Sequence, residues 1–550
     1  MHKPTARLIP FSLGAGFLVW VLLYFAWPLL EPPPLPPGFP RPPRHPSKTW
    51  GPRADAVRHA FMYAYTEYKE HAGNDDELLP LSEGSVNNFN GWGLTLIDSL
   101  DTMWIMGLHH EFYDTLPVVA NMTFDMEEKR YAPFFETVIR YLGGLLSAYA
   151  LSREPVFLVR ADDLGSRLLP ALRTNSGLPD YAVNTVTGQR SGGWTKGTVL
   201  WAEVASCQLE YKYLAHLTGR RQYYDSVEHI MDIMRDANIT DGMFPTRWSL
   251  SKGVPINKQF SVGAFADSAH EYFLKQWLLT SKSETKARDL YIRAVNSIIE
   301  NLLYLSRSRQ MLYVTDVTNG SPSHLFEHLS CFLPGLLALG AQTLELGPRD
   351  RRIHQWAAEG LAQTCWLTYA DHPTGLGPDI VLMDQIRKTP ENPHGGLWIA
   401  HLEEWEDAGK PGGVPPGVAP IRPARKGERD YRLRNAGYYL RPETVESFYI
   451  LWRTTGDEVW RERGWAVFQA IEKETRTDNG YASLVSVDKS PATKKNEMPS
   501  FFLAETLKYL FLLFTDEEIV PLDQWVFNTE AHPLPIFEWT AQEKEAYGIL

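Results

Sequence analysis

The chain has 550 residues, 44% hydrophobic and 12% aromatic, enough apolar material for a large buried core. A formal net charge of −12 excludes nucleic acid and anionic membrane surfaces as natural partners and suits a neutral, hydroxyl-rich ligand or a cation. Only three cysteines are present, which excludes a disulfide-scaffold fold and a cysteine-rich metal site.

At the N-terminus, residues 8–30 carry no charge, and Lys3 and Arg7 precede them. At about 1.5 Å per residue this stretch is long enough to cross a hydrocarbon layer of roughly 30 Å. The positive-inside rule then predicts a cytosolic tail at 1–7, a transmembrane signal anchor at 8–30 and a luminal remainder. A cleaved signal peptide is the competing reading; its apolar core is usually shorter, and no small-residue cleavage site precedes the proline run. "EPPPLPPGFPRPPRHP" predicts a Pro-rich stalk over 31–49, and 50–550 reads as one domain. Sequons at Asn121, Asn238 and Asn319 agree with a luminal, N-glycosylated domain.

Along that domain an irregular repeat of helix, short turn and helix is predicted. Its units are Glu136–Leu172, Glu203–Met234, Asp267–Leu303, His328–Tyr369 and Glu443–Thr475. A partial unit begins near Glu505, and Ala54–Glu70 reads as an unpaired helix of the same kind. Turns such as Leu217-Thr218-Gly219 and Thr455-Gly456-Asp457 separate the helices of a pair. A period near sixty residues is how helical hairpins close into a ring or solenoid, and the polar residue heading each unit would then converge on one pocket. Acids are also favoured in first helical turns by capping and the helix dipole, so no single head residue is diagnostic.

Cys331 and Cys365 fall in the two helices of one hairpin, where an oxidising lumen allows a bridge worth about 3–4 kcal/mol. Cys207 sits in an apolar helical stretch and reads as a buried free thiol. From 371 to 430 the chain turns rich in Pro, Gly and charge, which predicts a long surface excursion, either a flexible insertion or part of a binding face.

Several head residues have chemistry to offer. After Pro442, Glu443 and Glu446 fall on one helix face near the positive end of the dipole, which favours an ionised general base. Glu136 stands beside Phe134 and Phe135, whose desolvation suits a general acid, while Arg140 one turn on pulls the other way. Asp267 before Ser268 also fits an N-cap, and His328 also fits a satisfied core histidine. Near the C-terminus, Thr529 and Glu530 lie between apolar flanks; a threonine offers carbonyl and hydroxyl oxygens, which suit calcium.

The strings "GWGLTLIDSLDTMWIMGL", "FETVIRYLGGLLSAYALS", "CFLPGLLALG", "RPETVESFYILWRTTGD", "SFFLAETLKYLFLLF" and "FNTEAHPLP" together resemble the class I α-1,2-mannosidases of glycoside hydrolase family 47. The likeness spans roughly 50–540. It implies an all-α fold, an (αα)7 barrel, a bound Ca²⁺, and inverting removal of α-1,2-linked mannose from high-mannose N-glycans in the endoplasmic reticulum or Golgi. By resemblance Glu136 is the acid, Asp267 a second catalytic carboxylate and Glu443 the base, with Thr529 the protein ligand of calcium. Glu203, His328, Arg441, Glu446, Phe501, Glu505 and Glu530 match residues that line the sugar site or hold calcium-bound waters, Arg140 and Phe265 join the substrate set, and Cys331–Cys365 matches the family disulfide.

The chain departs from the family pattern in places. Asp379 stands where Glu is usual, Pro499 follows Met498 where Glu is common, and Ala269-His270 replaces an aromatic pair. Phe265 occupies a position associated with branch preference. The expected protein is a monomeric type II membrane glycosidase. The rival is a mannose-binding quality-control lectin on the same barrel, acting in endoplasmic-reticulum-associated degradation, which would not need Glu136, Asp267 and Glu443 together.

Overall fold

The computed structural model describes residues 38–40 and 48–549. The expected tail (1–7) and anchor (8–30), and most of the stalk (31–49), lie outside the described residues. Among the described residues no helix is long and apolar enough to cross a membrane.

Helices dominate and pack as neighbours in sequence. In chain order the longer ones are α1 (Trp50–His71), α2 (Leu100–Ile105), α3 (His109–Ala120), α4 (Gly143–Ser152), α5 (Pro155–Leu168), α6 (Gln208–Thr218), α7 (Arg221–Asp236) and α8 (Asp267–Leu279). There follow α9 (Thr285–Asn301), α10 (Leu333–Thr343), α11 (Pro348–Ala370), α12 (Trp398–Asp407), α13 (Glu443–Thr455), α14 (Val459–Glu474) and α15 (Leu507–Phe514). The pairs α4–α5, α6–α7, α8–α9, α10–α11 and α13–α14 are the five predicted hairpins. Two further pairs escaped the sequence pattern. α2 packs on α3, and α1, expected to be unpaired, packs against α15, so the first and last long helices meet. First helices also touch one another, α2 with α4, α4 with α6, α6 with α8, α10 with α13, and α13 with α15.

Sequence explains the two kinds of helix. In α10 and α15 every residue is buried, and both are predominantly apolar, as a helix wrapped by others must be. In α7 the buried residues Tyr223, Val227, Ile230, Met231 and Met234 form one stripe, leaving the opposite face to solvent. Gly219 and Gly456 take positive φ where α6 and α13 end, as the predicted turns require. Close approach also matters: a Cβ on Gly335 of α10 would lie 3.2 Å from the Ser447 Cα of α13.

The Cys331–Cys365 bridge is formed, with Cα atoms 6.0 Å apart, and Cys207 is a buried free thiol. Short antiparallel strands, which the all-α reading omits, stitch the helix ends. β1 (Thr198–Leu200) pairs with β2 (Arg247–Ser249); β3 (Leu325–Glu327), β4 (Ile380–Met383) and β5 (Tyr431–Asn435) form one sheet. β6 (Trp525–Phe527) and β7 (Pro533–Pro535) form a hairpin that touches α8 through β6 and α4 through β7.

The 371–430 excursion carries β4 and α12 and is tied down at both ends. Buried Asp371 accepts from Arg309 at 2.6 Å and from the Ala424 amide at 2.6 Å. Asp430 accepts from Ser306 Oγ and from the Ser308 and Arg309 amides. Trp398 and Trp405 donate their indole N–H to the Pro416 and Pro411 carbonyls within it. The sequons Asn121, Asn238 and Asn319 are all exposed.

Candidate active site

Residues at the starts of the first helices converge on one cavity of about 210 Å³. Its walls include Glu136, Arg140, Asp267, Arg441, Glu443, Glu446, Phe501, Glu505, Thr529 and Glu530, all of them expected from sequence. Glu203, Phe265, His328 and Asp379, expected with them, stand around the cavity rather than in its lining. Glu271, one turn after Asp267 in α8, lines the cavity and was missed. The i, i+4 spacing from Asp267 was the available signal, since it puts both carboxylates on one helix face.

Glu443 is the first residue of α13, and its Oε2 lies 2.8 Å from His328 Nδ1. His328 Nε2 meets the Tyr369 hydroxyl at 2.5 Å. A single ring tautomer serves both contacts, with Tyr369 donating to Nε2 and Nδ1–H donating to Glu443. His328 is therefore a buried orienting group, not an idle core histidine. Burial pushes the Glu443 carboxyl up, but the His328 hydrogen bond and the positive charge of Arg441 outweigh it and hold the pKa below the usual value.

Asp267 opens α8, and its Oδ1 accepts from the Ser268 amide at 2.7 Å and hydroxyl at 3.2 Å. That is a bond to the next residue and not an N-cap, which would reach two or three residues on. Burial pushes the Asp267 carboxyl up to about 7 against those two bonds. Glu136 ends a short helix that runs into a π-helical stretch, Thr137–Leu142. There Arg140 binds both Glu136 at 2.7 Å and Glu530 at 2.8 Å. Phe135 lines the cavity beside it, while Phe134 turns away and stacks on Tyr211.

Phe501 lies between two guanidinium groups, Arg140 at 5.9 Å and Arg441 at 5.7 Å from its ring centre. Arg441 in turn donates to Asp379 at 3.1 Å, so the shorter carboxylate at that position still holds its arginine. Asn435 of β5 binds the other Asp379 oxygen, and the His328 amide donates to the Asp379 carbonyl. The root of the excursion thus supports the site. His270 is buried with its ring edge-on to Trp201, 4.6 Å between centres, and keeps an aromatic contact. Pro499 precedes Ser500, whose amide donates to Glu77 at 3.0 Å.

Thr529 sits in a loop fixed from all sides. Asn528 accepts from the Glu530 and His532 amides and donates to the Ile139 carbonyl and to Glu210. Lys508 donates to the Ala531 carbonyl and pairs with Asp101 at 2.8 Å, and His532 lies between Asp98 and Asp101. Around Thr529 stand buried carboxyls with only partial compensation. Burial and crowding push Glu446 and Glu505 well up, and Glu530 up to about 8. Lys275 relieves part of this charge, lying 2.8 Å from Glu271 and 4.0 Å from Glu446. The cavity therefore offers oxygen ligands in excess of its cations. A group of His and carboxylates whose ligand atoms all lie within 4.8 Å of one another, Glu67, Glu70 and His71, is elsewhere, at the end of α1.

Comparison with known proteins places the chain in context. The model of glycosyl hydrolase family 47 matches residues 60–536. The endoplasmic reticulum mannosyl-oligosaccharide 1,2-alpha-mannosidase of Rattus norvegicus is 38% identical over 493 residues, 88% of this chain and 68% of the relative. The mannosyl-oligosaccharide alpha-1,2-mannosidase IA of Drosophila melanogaster is 33% identical over 90% of this chain and 69% of its own length. Among solved structures, the α-1,2-mannosidase from Trichoderma reesei superposes with a TM-score of 0.78 at 28% identity, covering 90% of this chain and all of that one.

Proposed function

The chain belongs to glycosyl hydrolase family 47, and from that premise we propose that Glu443 is the general base of an inverting exo-α-1,2-mannosidase. Glu136 is its acid and Asp267 its second catalytic carboxylate. The enzyme trims mannose from high-mannose N-glycans in the secretory pathway. The observation that carries the residue roles is the split between two carboxyls in one cavity. Glu443 is held ionised by His328 and Arg441, ready to take a proton from water, while Asp267 is pushed to about 7 and exchanges its proton around neutral pH. Arg140 fixes Glu136 at the wall, and Phe135 and Phe501 give the cavity apolar faces that exclude bulk water around the sugar.

Thr529 with Glu446, Glu505 and Glu530 makes an all-oxygen donor set, the chemistry that suits Ca²⁺ and not zinc. When bound, calcium would orient sugar hydroxyls and favour distortion of the ring. Its charge also fits a cavity whose carboxyls lack enough cationic partners. We arrange the helix pairs as an (αα)7 barrel, a reading supported by the meeting of α1 with α15. The domain is placed in the lumen behind the 8–30 anchor, supported by three exposed sequons and the formed disulfide. The test is to incubate the luminal domain with labelled nine-mannose glycan, with and without chelator, and to map the products. Loss of α-1,2-linked mannose only with metal present is expected; glycan binding without hydrolysis would favour the lectin.

A further inference from the structure

Beside the cavity, an arginine stands without a partner. Arg247 begins β2, opposite Leu200 of β1. Trp194 precedes β1 and Glu203 follows it, so the pairing of β1 with β2 gathers all three. The guanidinium carbon lies 5.5 Å from the Trp194 ring centre and 5.6 Å from that of Phe265. The group is thus flanked by two aromatic faces, yet it makes no side-chain hydrogen bond or ion pair among the described residues. The other arginines of the site, Arg140 and Arg441, are both paired with carboxylates.

The surroundings say what such a group would bind. Trp194 is 56% exposed, a large aromatic surface left in water. Glu203 is mostly buried, and its Oε2 has no hydrogen-bond partner. Its carboxyl is pushed up to about 7 by burial and by the Glu136 charge, with the Leu200 amide and Arg247 opposing. A planar donor, an unsatisfied carboxyl and an open aromatic face together suit a neutral ring bearing adjacent hydroxyls. An anion would meet Glu203 and Glu136 as well as Arg247 and gain less. The location is the rim: Phe265 lies between Ala264 and Asp267, which both line the cavity, and the Phe265 carbonyl accepts from the Ala202 amide next to Glu203.

We propose that Arg247, flanked by Trp194 and Phe265, forms a subsite for the mannose residues that follow the scissile bond and helps select the glycan branch that enters. The proposal rests on the mannosidase reading of the cavity. It changes the part expected of Phe265, whose ring supports the guanidinium while Trp194 offers the open stacking face. Because the guanidinium is held before the ligand arrives, little freedom is lost on binding.

The test uses Arg247→Leu, Arg247→Lys and Trp194→Ala in the luminal domain, with thermal melting to verify folding. With nine-mannose glycan, Arg247→Leu should raise KM about tenfold and leave kcat within about twofold, the loss expected when charge-assisted hydrogen bonds to a substrate vanish. Arg247→Lys should fall between, and Trp194→Ala should also raise KM. Inhibition by methyl α-mannoside, which fills only the terminal position, should not change. The distribution of eight-mannose isomers should broaden in Arg247→Leu. The same substitution is made in a Glu443→Gln background and glycan affinity measured directly, which separates the two readings. A parent protein that binds but never hydrolyses sinks the hydrolase assignment alone. Unchanged affinity, KM and isomer pattern in folded Arg247→Leu and Trp194→Ala sinks the subsite.

Discussion

His328 Nδ1 lies 2.8 Å from Glu443 Oε2, and the two residues are 115 positions apart in the chain. The contact joins the head of one hairpin to the head of the next and lowers the proton affinity of the carboxylate assigned as base. Glu443→Gln should abolish turnover while glycan binding survives, since an amide keeps the shape but takes no proton. Isothermal titration beside a turnover assay checks both halves; trimming near the wild-type rate would refute the assignment.

Replacing His328 tests the electrostatics of the same pair. His328→Leu removes the hydrogen bond that helps hold Glu443 low, so the Glu443 pKa should rise and the acid limb of kcat/KM move to higher pH. The protein carries Asp267 at about 7, so activity should also fall as pH rises past neutrality and that proton is lost. A pH profile of both proteins reads the two limbs. An acid limb in His328→Leu that stays in place or moves down would contradict the coupling.

Metal removal is the third expectation. Chelation should stop turnover and lower the melting temperature, because calcium at a hundred times its Kd stabilises the native state by about 3 kcal/mol. Calcium should restore both properties and zinc neither, given the oxygen-only donors around Thr529. Full activity in metal-free protein would count decisively against the site.

Acid should destabilise the fold through its buried histidines. Burial pushes His270 and His354 down to about 4, so the unfolded chain binds a proton near pH 6.5 that the native chain refuses. Their contribution is complete above about pH 6.5 and is lost as pH falls toward 4, up to about 3 kcal/mol for each. The His354 ring bonds the Asn296 side chain at 3.1 Å, so His354→Gln is a mild replacement that should flatten this part of a melting-temperature profile. An unchanged slope between pH 6.5 and 4 would exclude the histidine as a cause.

The disulfide offers a fifth check. It spans a sequence separation of 34 and ties the 3-10 turn that leads into α10 to α11, and Cys331 is three residues from His328. Cys331→Ser with Cys365→Ser should cost about 4 kcal/mol of stability. It should also lower kcat by loosening the start of α10. A melting temperature equal to wild type would show that the bridge adds nothing.

Five hairpins, their turn glycines and most of the cavity lining could be read from the sequence. Alternating apolar and amphipathic helices leave a strong periodic signature, and Gly219 and Gly456 mark the only cheap way to end α6 and α13. The pair α2–α3 was not legible because α2 is six residues long and offers too few turns to show a period. The pairing of α1 with α15 was hidden for another reason. Their partners lie at opposite ends of the chain, and apolar faces do not name their neighbours. Glu271 was missed because it sits inside an apolar helix and heads nothing.

By itself the sequence determined that the protein is mostly helical, that polar residues head its first helices, and that its motifs resemble one glycosidase family. These are local properties, set by periodicity, capping and residue chemistry. Only the tertiary structure decided which carboxyl is pushed up and which is held down, because burial and partner charges depend on contacts between distant segments. Asp267 and Glu443 are both acids at a helix start, yet one is desolvated against short-range bonds alone and the other is met by His328 and Arg441. The same holds at the rim, where the pairing of β1 with β2 brings Trp194 and Arg247 together beside Glu203.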